Sequence, residues 1–261
     1  MSSLWKSFVL AVILVAVVVT GIYSGILPSG WRSDEIARIK KAGVLVVGLD
    51  ATYPPLESVL PDGTIVGYDP DIARLIADKL GVTLQLKNTP FDTIFDALEQ
   101  GEVDIVISSV SITPERKKRM LFSDPYFASG QVLIVPEGVA GVTSISDING
   151  KRLGVQADTT SKEQALVLTD AKSVVDYKDY DEAVIDLKNG KIQGIIIDYP
   201  AGVELAKKAG GIRIVGTPFT TESYGIALPS TASRLQPVIN QLIADWKETG
   251  ELQLIQDKWF K

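Results

Sequence analysis

The 261-residue chain contains no cysteine and no histidine. Disulfide bonds, cysteine nucleophiles, thiolate or imidazole metal sites and Ser-His-Asp triads are therefore excluded. An enzyme remains possible through Asp, Glu, Lys, Arg or Tyr, but the side chain that most often shuttles protons is missing. We expect neither a metal nor a cofactor.

Positive charge is in shorter supply than negative charge. The chain has 26 Lys and Arg against 32 Asp and Glu, a net charge of −6. A nucleic-acid partner is therefore not expected, because such proteins present a basic face. Hydrophobic residues make up 46% of the chain, which is ample for a core, and the length suits one large domain or two of medium size.

No charged residue lies between Lys6 and Arg32. Residues 8–27 are apolar over a length that can span a membrane, so this segment is either a secretory signal peptide or an N-terminal anchor. We favour an uncleaved anchor, because the best cleavage signal, at residues 19–21, is poor. Residues 1–31 are assigned to this segment and a short tether. The rest is expected outside the cytoplasmic membrane, in the periplasm or at the cell surface, reaching the membrane only through this segment.

The remainder of the chain alternates between strand and helix patterns. Continuous apolar runs such as Val44–Leu49 and Gly194–Ile197 predict buried parallel strands. Apolar residues at helical spacing predict amphipathic helices, for example over residues 69–80, which Gly81 would close. We therefore predict an α/β protein with two similar series of strand-turn-helix units.

The two series are predicted to form two lobes. The first comprises residues 32–135 and 224–261, and the second comprises residues 136–223. Crossing strands near 132–136 and 222–228 would join them. Open α/β sheets bind ligands at the carboxyl ends of their strands, so we expect a site between the lobes.

A hydroxyl-rich turn follows the strand predicted at Val103–Ile107; its members are Ser108, Ser109 and Ser111. Thr113 then has the residue type of a helix N-cap, with Pro114 at the first helical position. A cation in that first turn gains nothing from the helix dipole, so Arg116 is expected to bind a carboxylate or phosphate together with free helix N–H groups. The alternative is an ordinary turn in which Arg116 pairs with a surface carboxylate.

Polar residues at the ends of several strands would converge if the lobes face each other. The first lobe supplies Asp50, Tyr53, Ser109, Ser111 and Arg116, and the second supplies Asp158, Thr159, Thr160 and Asp198. Arg116 offers a bidentate fork for a carboxylate, and Asp198 offers a partner for an ammonium group. This pairing suits an α-amino acid, whose side chain Tyr53 and Phe91 would flank. The alternatives are a helix N-cap for Asp198, a lid position without ligand contact for Tyr53 and core packing for Phe91.

The chain resembles the family 3 extracellular solute-binding proteins, the amino-acid receptors of ABC importers, over about residues 35–260. The resemblance rests on ordered motifs: Ala51-Thr-Tyr-Pro-Pro, Gly67-Tyr-Asp-Pro-Asp, Ser108-Ser-Val-Ser-Ile-Thr-Pro-Glu-Arg116, Phe122-Ser-Asp-Pro-Tyr126, Gly154-Val-Gln, Thr159-Thr and Ile197-Asp-Tyr-Pro200. It implies the two-lobed periplasmic-binding-protein fold (type II), with two hinge strands. It also implies an ABC transporter permease as partner, and we expect the chain to act as a monomer.

The resemblance implies roles for individual residues. Arg116, with Ser111 and Thr159, would hold the α-carboxylate. Asp198 and the Ser109 region would hold the α-ammonium. Tyr53 and Phe91 would sandwich the side chain.

Two residues depart from the family pattern. Leu56 stands where the family often has Phe, which would make one wall of the pocket less aromatic. Asp158 stands where Gly is common. Asp158 would either cap the helix or, together with Asp50 and Glu57, supply negative charge for a basic ligand. The alternative for Asp50 and Glu57 is a solvated loop charge, and glutamine-like ligands remain open. An enzyme resembling cyclohexadienyl dehydratase, on the same fold, is the alternative function.

Overall fold

Two five-stranded mixed sheets organise the part of the chain that the structure, a computed structural model, describes: residues 34–261. The predicted anchor or signal peptide lies outside these residues. Among residues 34–261, no helix combines the length and the apolar character needed to cross a membrane.

The first sheet is parallel on one side and antiparallel on the other. Its strands, in spatial order, are β5 (Thr83–Asn88), β1 (Val44–Leu49), β6 (Ile105–Val106), β15 (Ala227–Pro229) and β7 (Met120–Phe122). The helices of this lobe are α1 (Glu35–Ala42), α2 (Tyr68–Leu80), α3 (Phe91–Glu99), α7 (Leu235–Thr249) and α8 (Glu251–Phe260). A small sheet beside it contains β2 (Thr52–Tyr53), β3 (Glu57–Val59) and β4 (Ile65–Val66).

The second sheet has the same mixed character. Its strands, in spatial order, are β11 (Val174–Tyr177), β10 (Leu153–Gln156), β12 (Gly194–Asp198), β9 (Gln131–Pro136) and β13 (Ile212–Val215). The helices of this lobe are α4 (Thr160–Leu168), α5 (Tyr180–Lys188) and α6 (Tyr199–Ala209).

The sequence patterns predicted these elements because each one buries a continuous or periodic apolar face. Strand β1 is confirmed with the predicted bounds, and β12 extends one residue beyond its prediction to include Asp198. Helix α2 buries Ile72 and Ile76 against the first sheet and ends at Gly81, whose φ of 71° is a conformation that glycine adopts freely.

Of the two strands that link the lobes, one lies within its predicted range of 222–228 and the other lies a few residues before the predicted 132–136. The crossing ribbon consists of β8 (Phe127–Ser129) and β14 (Glu222–Tyr224), which pair antiparallel. The predicted crossing strand at 132–136 was wrong, because β9 lies between β12 and β13 inside the second sheet. An apolar run has the same appearance in a crossing strand and in a buried one. We propose a lobe boundary near Gly130.

The helix predicted to begin at Thr113 is a single turn of 3-10 helix at Arg116–Lys118. The N-cap of this turn is Glu115 rather than the predicted Thr113, although the Thr113 hydroxyl oxygen accepts a hydrogen bond from the Arg116 N–H at 3.1 Å. The chain cannot continue as a helix because residues 120–122 join the first sheet as β7. The anion site therefore lacks the N–H groups of a full helix at this position.

We predict that Gly130→Ala destabilises the protein by about 2 kcal/mol. A Cβ atom at Gly130 would lie 2.2 Å from the Thr220 carbonyl oxygen, where the two crossing segments pass each other. Gly138→Ala is the matched control, since a Cβ there meets nothing within 4 Å. Urea unfolding of both variants tests this, and equal stabilities would show that the close approach carries no constraint.

Candidate functional site

A cleft of about 380 Å³, partly open to solvent, lies between the two lobes. Nine of the ten residues predicted to converge line this one cleft, and Asp158 does not: Asp50, Tyr53, Phe91, Ser109, Ser111, Arg116, Thr159, Thr160 and Asp198. Four more lining residues come from the same segments: Glu57, Ser108, Gln156 and Ser161. Among the lining residues, Arg116 is the one cation, and it faces several carboxyl groups.

The Arg116 guanidinium is held from two sides. Nη1 donates to the Ser111 carbonyl oxygen at 3.0 Å, and Nη2 donates to the Asp158 carbonyl oxygen, on the other lobe, at 3.2 Å. The guanidinium also lies over the rings of Phe91 and Phe95, with centroids 5.5 and 5.2 Å from Cζ. Stacking on two rings fixes its plane. Arg116 therefore places a positive charge with a fixed plane on the lining of the cleft.

Asp198 ends β12 and is 7% exposed. Oδ2 accepts a hydrogen bond from the Tyr224 hydroxyl at 2.7 Å, whereas the buried Oδ1 has no partner among residues 34–261. Burial and the negative charge of Glu222 raise the pKa of Asp198 to about 7, although hydrogen bonds and Arg116 oppose the rise. Asp198 occupies the N-cap position of α6, as the alternative predicted, but its side chain caps no N–H group of that helix.

The Asp50 carboxylate is buried and fully hydrogen-bonded. It accepts from the Thr52 hydroxyl at 2.8 Å, from the Phe91 N–H at 3.0 Å and from Gln156 Nε2 at 2.9 Å. Burial raises the pKa of Asp50, and these three donors oppose the rise. Since Gln156 belongs to the second lobe, this hydrogen bond also joins the two lobes across the cleft.

Two carboxyl groups lie beneath the serine turn. Glu57 accepts from the Ser108 hydroxyl at 2.8 Å, and Asp69 accepts from the Ser109 N–H at 2.6 Å. Burial first, and Asp69 second, raise the pKa of Glu57 well above its usual value, while burial raises the pKa of Asp69 to about 6. The raised pKa makes Glu57 a weaker source of negative charge than the sequence suggested.

Two hydroxyl groups expected to donate to a ligand carboxylate already have acceptors. The Ser111 hydroxyl donates to Glu222, and the Thr159 hydroxyl donates to the Gln156 carbonyl oxygen at 2.8 Å. Thr159 also caps α4 by accepting from the Lys162 N–H. The first N–H groups of a helix have no partners within the helix, so those of α4 are the donors that this lobe offers to an anion.

Asp158 and Leu56 have structural roles that the sequence did not indicate. Asp158 has φ of 58°, a left-handed conformation, which explains why glycine is common there. Its side chain is exposed and does not line the cleft. Leu56 is fully buried in the core of the first lobe rather than forming a wall of the pocket, so the expectation about that wall was wrong.

The two aromatic residues have mixed surroundings. Phe91 lines the cleft but also packs in the core, with its ring centroid 5.5 Å from that of Phe95. Tyr53 lines the cleft, contacts the Tyr180 ring at 5.8 Å and accepts from the Asp198 N–H at 3.2 Å. Tyr53 is therefore a fixed contact between the lobes.

Sequence reasoning missed the contribution of the crossing strand. Glu222 and Tyr224 on β14 both reach the site, through Ser111 and Asp198 respectively. Their spacing was the available signal, because residues two apart on a strand share one face. Gln156 was also missed, although it lies in a quoted motif.

We predict that Asp198→Asn stabilises the ligand-free protein by on the order of 2 kcal/mol at pH 8.5 but not at pH 4. An unfolded Asp has a pKa of about 4, and the folded value is about 7. Between these values the folded state binds more protons, so the carboxyl group lowers stability as the pH rises. Urea unfolding of variant and parent at both pH values measures the difference. A constant difference would contradict the raised pKa.

Comparison with known proteins gives consistent matches along the chain. The L-cystine-binding protein TcyJ of Escherichia coli (strain K12) is 32% identical over 250 residues, covering 95% of this chain and 94% of that protein. Other relatives are named as arginine-, histidine- and glutamine-binding proteins.

Solved structures match to a similar extent. An ancestral arginine-binding protein bound to arginine is 38% identical, with a TM-score of 0.78 over 84% of this chain and 99% of that one. The ancestral amino acid-binding protein AncCDT-1, a precursor of cyclohexadienyl dehydratase, is 32% identical, with a TM-score of 0.80 over 87% and 99%. The predicted two-lobed fold is confirmed. The profile of the bacterial extracellular solute-binding proteins, family 3, matches residues 45–261, and the chain belongs to this family.

Proposed function

We propose that the protein binds a basic L-amino acid between its lobes, outside the cytoplasmic membrane, and delivers it to an ABC transporter permease. One observation carries this proposal: the Arg116 guanidinium and the unpaired Asp198 Oδ1 line the same buried cleft. A zwitterion can enter such a space at low cost only when both of its charges are paired and hydrogen-bonded. The cleft offers one partner of each sign.

The two ends of the amino acid would have different partners. The carboxylate binds the Arg116 fork and the first N–H groups of α4. The ammonium binds Asp198 Oδ1 and the Ser111 hydroxyl oxygen, which is an acceptor because its proton points to Glu222. Ser111 therefore serves the ammonium rather than the carboxylate, which revises the role that the family resemblance implied.

The side chain would extend towards Asp50. Because the pKa of Glu57 is raised and the Asp158 side chain lies outside the cleft, Asp50 is the negative charge best placed at that end. Tyr53 and Phe91 add aromatic faces, which suit a guanidinium or ammonium group. Relatives named as arginine- and histidine-binding proteins support a basic ligand. Relatives named as glutamine- and cystine-binding proteins make glutamine and cystine the main alternative ligands.

Binding would proceed by closure of the lobes. Three hydrogen bonds already cross the cleft: Gln156 to Asp50, Arg116 to the Asp158 carbonyl, and the Asp198 N–H to Tyr53. An amino acid that contacts both lobes stabilises this closed form by its differential affinity. The permease would recognise the closed form. We further propose that residues 8–27 tether the chain, which acts as a monomer.

The enzyme alternative is cyclohexadienyl-dehydratase-like turnover, and the AncCDT-1 match is the observation that favours it. We expect no turnover, because Arg116 and Asp198 are placed to bind the carboxylate and the ammonium of an amino acid. Incubation with arogenate or prephenate, followed by measurement of aromatic products, distinguishes the two. Product formation would establish the enzyme.

We predict that L-arginine, L-lysine or L-histidine raises the thermal unfolding temperature of the protein more than the other common amino acids do. A ligand at 100 times its dissociation constant adds about 2.7 kcal/mol of stability. Arg116→Ala should weaken binding by about 2–5 kcal/mol, because it leaves a buried carboxylate unpaired. No shift with any amino acid would refute the proposed function.

We predict that Asp50→Asn weakens L-arginine binding about thirtyfold and changes L-glutamine binding little, because only arginine carries a charge at that end. Asp158→Asn removes an equal charge from outside the cleft and should leave both affinities unchanged. Isothermal titration calorimetry of both variants tests this. Equal losses for arginine and glutamine after Asp50→Asn would assign Asp50 a structural role instead.

A further inference from the structure

Glu222 lies on the crossing strand β14, yet its carboxylate connects groups from both lobes. Its Oε2 accepts from the Ser111 hydroxyl of the first lobe and from the Thr160 hydroxyl of the second at 3.1 Å. Its Oε1 accepts from the Thr220 hydroxyl at 3.3 Å. A half-buried carboxylate with three hydroxyl donors is held in one orientation.

The backbone around Glu222 fixes this arrangement. Ser111 forms a β-bridge with Tyr224, two residues along the same strand, and the Ile112 N–H donates to the Ser223 carbonyl oxygen at 2.8 Å. The Tyr224 hydroxyl in turn donates to Asp198. One short strand therefore sets the positions of both groups that would receive the ligand's ammonium.

The chemistry of the carboxylate decides the direction of these hydrogen bonds. An ionised carboxylate only accepts, so the Ser111 hydroxyl must donate its proton to Glu222. The lone pairs of the Ser111 oxygen are then the part left to face the cleft. They can accept from an ammonium group, and they repel a carboxylate placed at the same point.

We propose that Glu222 is a positioning residue for amino-group recognition. Its carboxylate accepts the hydrogen bond of the Ser111 hydroxyl and thereby orients the Ser111 oxygen as an acceptor for the ligand's ammonium. The inference rests on the proposed amino-acid binding and names the residue that orients one of its contacts. The Thr160 hydroxyl of the other lobe donates to the same carboxylate. This set of hydrogen bonds therefore forms when the lobes are closed.

Glu222→Gln provides the first test. An amide can donate to the Ser111 oxygen, which turns the hydroxyl proton towards the cleft and the ammonium. We expect affinities for L-arginine and L-glutamine, measured by calorimetry, to fall by the same factor of about ten, because both carry the same α-amino group. Glu163→Gln is the control, since Glu163 also acts electrostatically on Arg116 but is exposed. It should change neither affinity appreciably.

A double-mutant cycle with Ser111→Ala shows whether Glu222 acts through Ser111. In the Ser111→Ala background, Glu222→Gln should weaken L-arginine binding by less than twofold. An equal tenfold loss in both backgrounds would overturn the inference, and so would unchanged binding by Glu222→Gln in the parent. If L-arginine and L-glutamine fail to bind the parent as well, the proposed function is at fault instead.

The pH dependence of binding gives an independent readout. Asp198 faces Glu222, Arg116, Tyr224, Tyr53 and Tyr180, and burial first, with the Glu222 charge second, raises its pKa. Arginine binding to the parent should strengthen as the pH rises through about 7. Glu222→Gln should move this midpoint to lower pH.

Glu222→Asp keeps the charge but shortens the reach. Glu222→Asp should weaken L-arginine binding while leaving the pH midpoint of binding near the parent value. It replaces Glu222→Gln as the test if Glu222→Gln does not fold. Parent-like affinity in Glu222→Asp together with a parent-like midpoint would overturn the proposed contact.

Discussion

The central constraint on this molecule is a buried carboxylate with one oxygen left unpaired. Asp198 is held by Tyr224 and Tyr53, but its Oδ1 has no partner among the described residues. Desolvation makes such a charge costly, which is why its pKa rises to about 7. A cation that enters the cleft relieves that cost. The tendency to bind an ammonium group is thus built into the ligand-free protein.

The crossing ribbon connects this constraint to the motion of the lobes. Tyr224 and Glu222 leave the same strand on the same face and reach Asp198 and Ser111. The residues proposed to contact the ligand's ammonium are therefore hydrogen-bonded to the segment between the lobes. Closure and recognition then depend on one set of hydrogen bonds, as expected for a receptor that must trap and later release its ligand.

Charge is distributed unevenly around the cleft, and burial decides which carboxyl groups can offer a negative charge to a ligand. The pKa values of the buried neighbours Glu57 and Asp69 are raised, while Asp158 is exposed. Asp50 keeps three donors, so its charge is tolerated in the interior. The sequence presents Asp50, Glu57 and Asp158 as three equal candidates for the partner of a basic side chain, and under the proposed function their surroundings favour Asp50.

The sequence by itself determined the two α/β units, the serine turn and the presence of Arg116 and Asp198 at strand ends, because apolar periodicity and ordered motifs are local properties. Only the tertiary structure decided that β9 lies inside the second sheet and that the 3-10 helix after Thr113 has three residues. It also decided that the Ser111 hydroxyl donates its hydrogen bond to Glu222. Strand order, hydroxyl direction and the burial of a carboxylate depend on residues 100 or so positions apart meeting in space. No local pattern encodes those meetings.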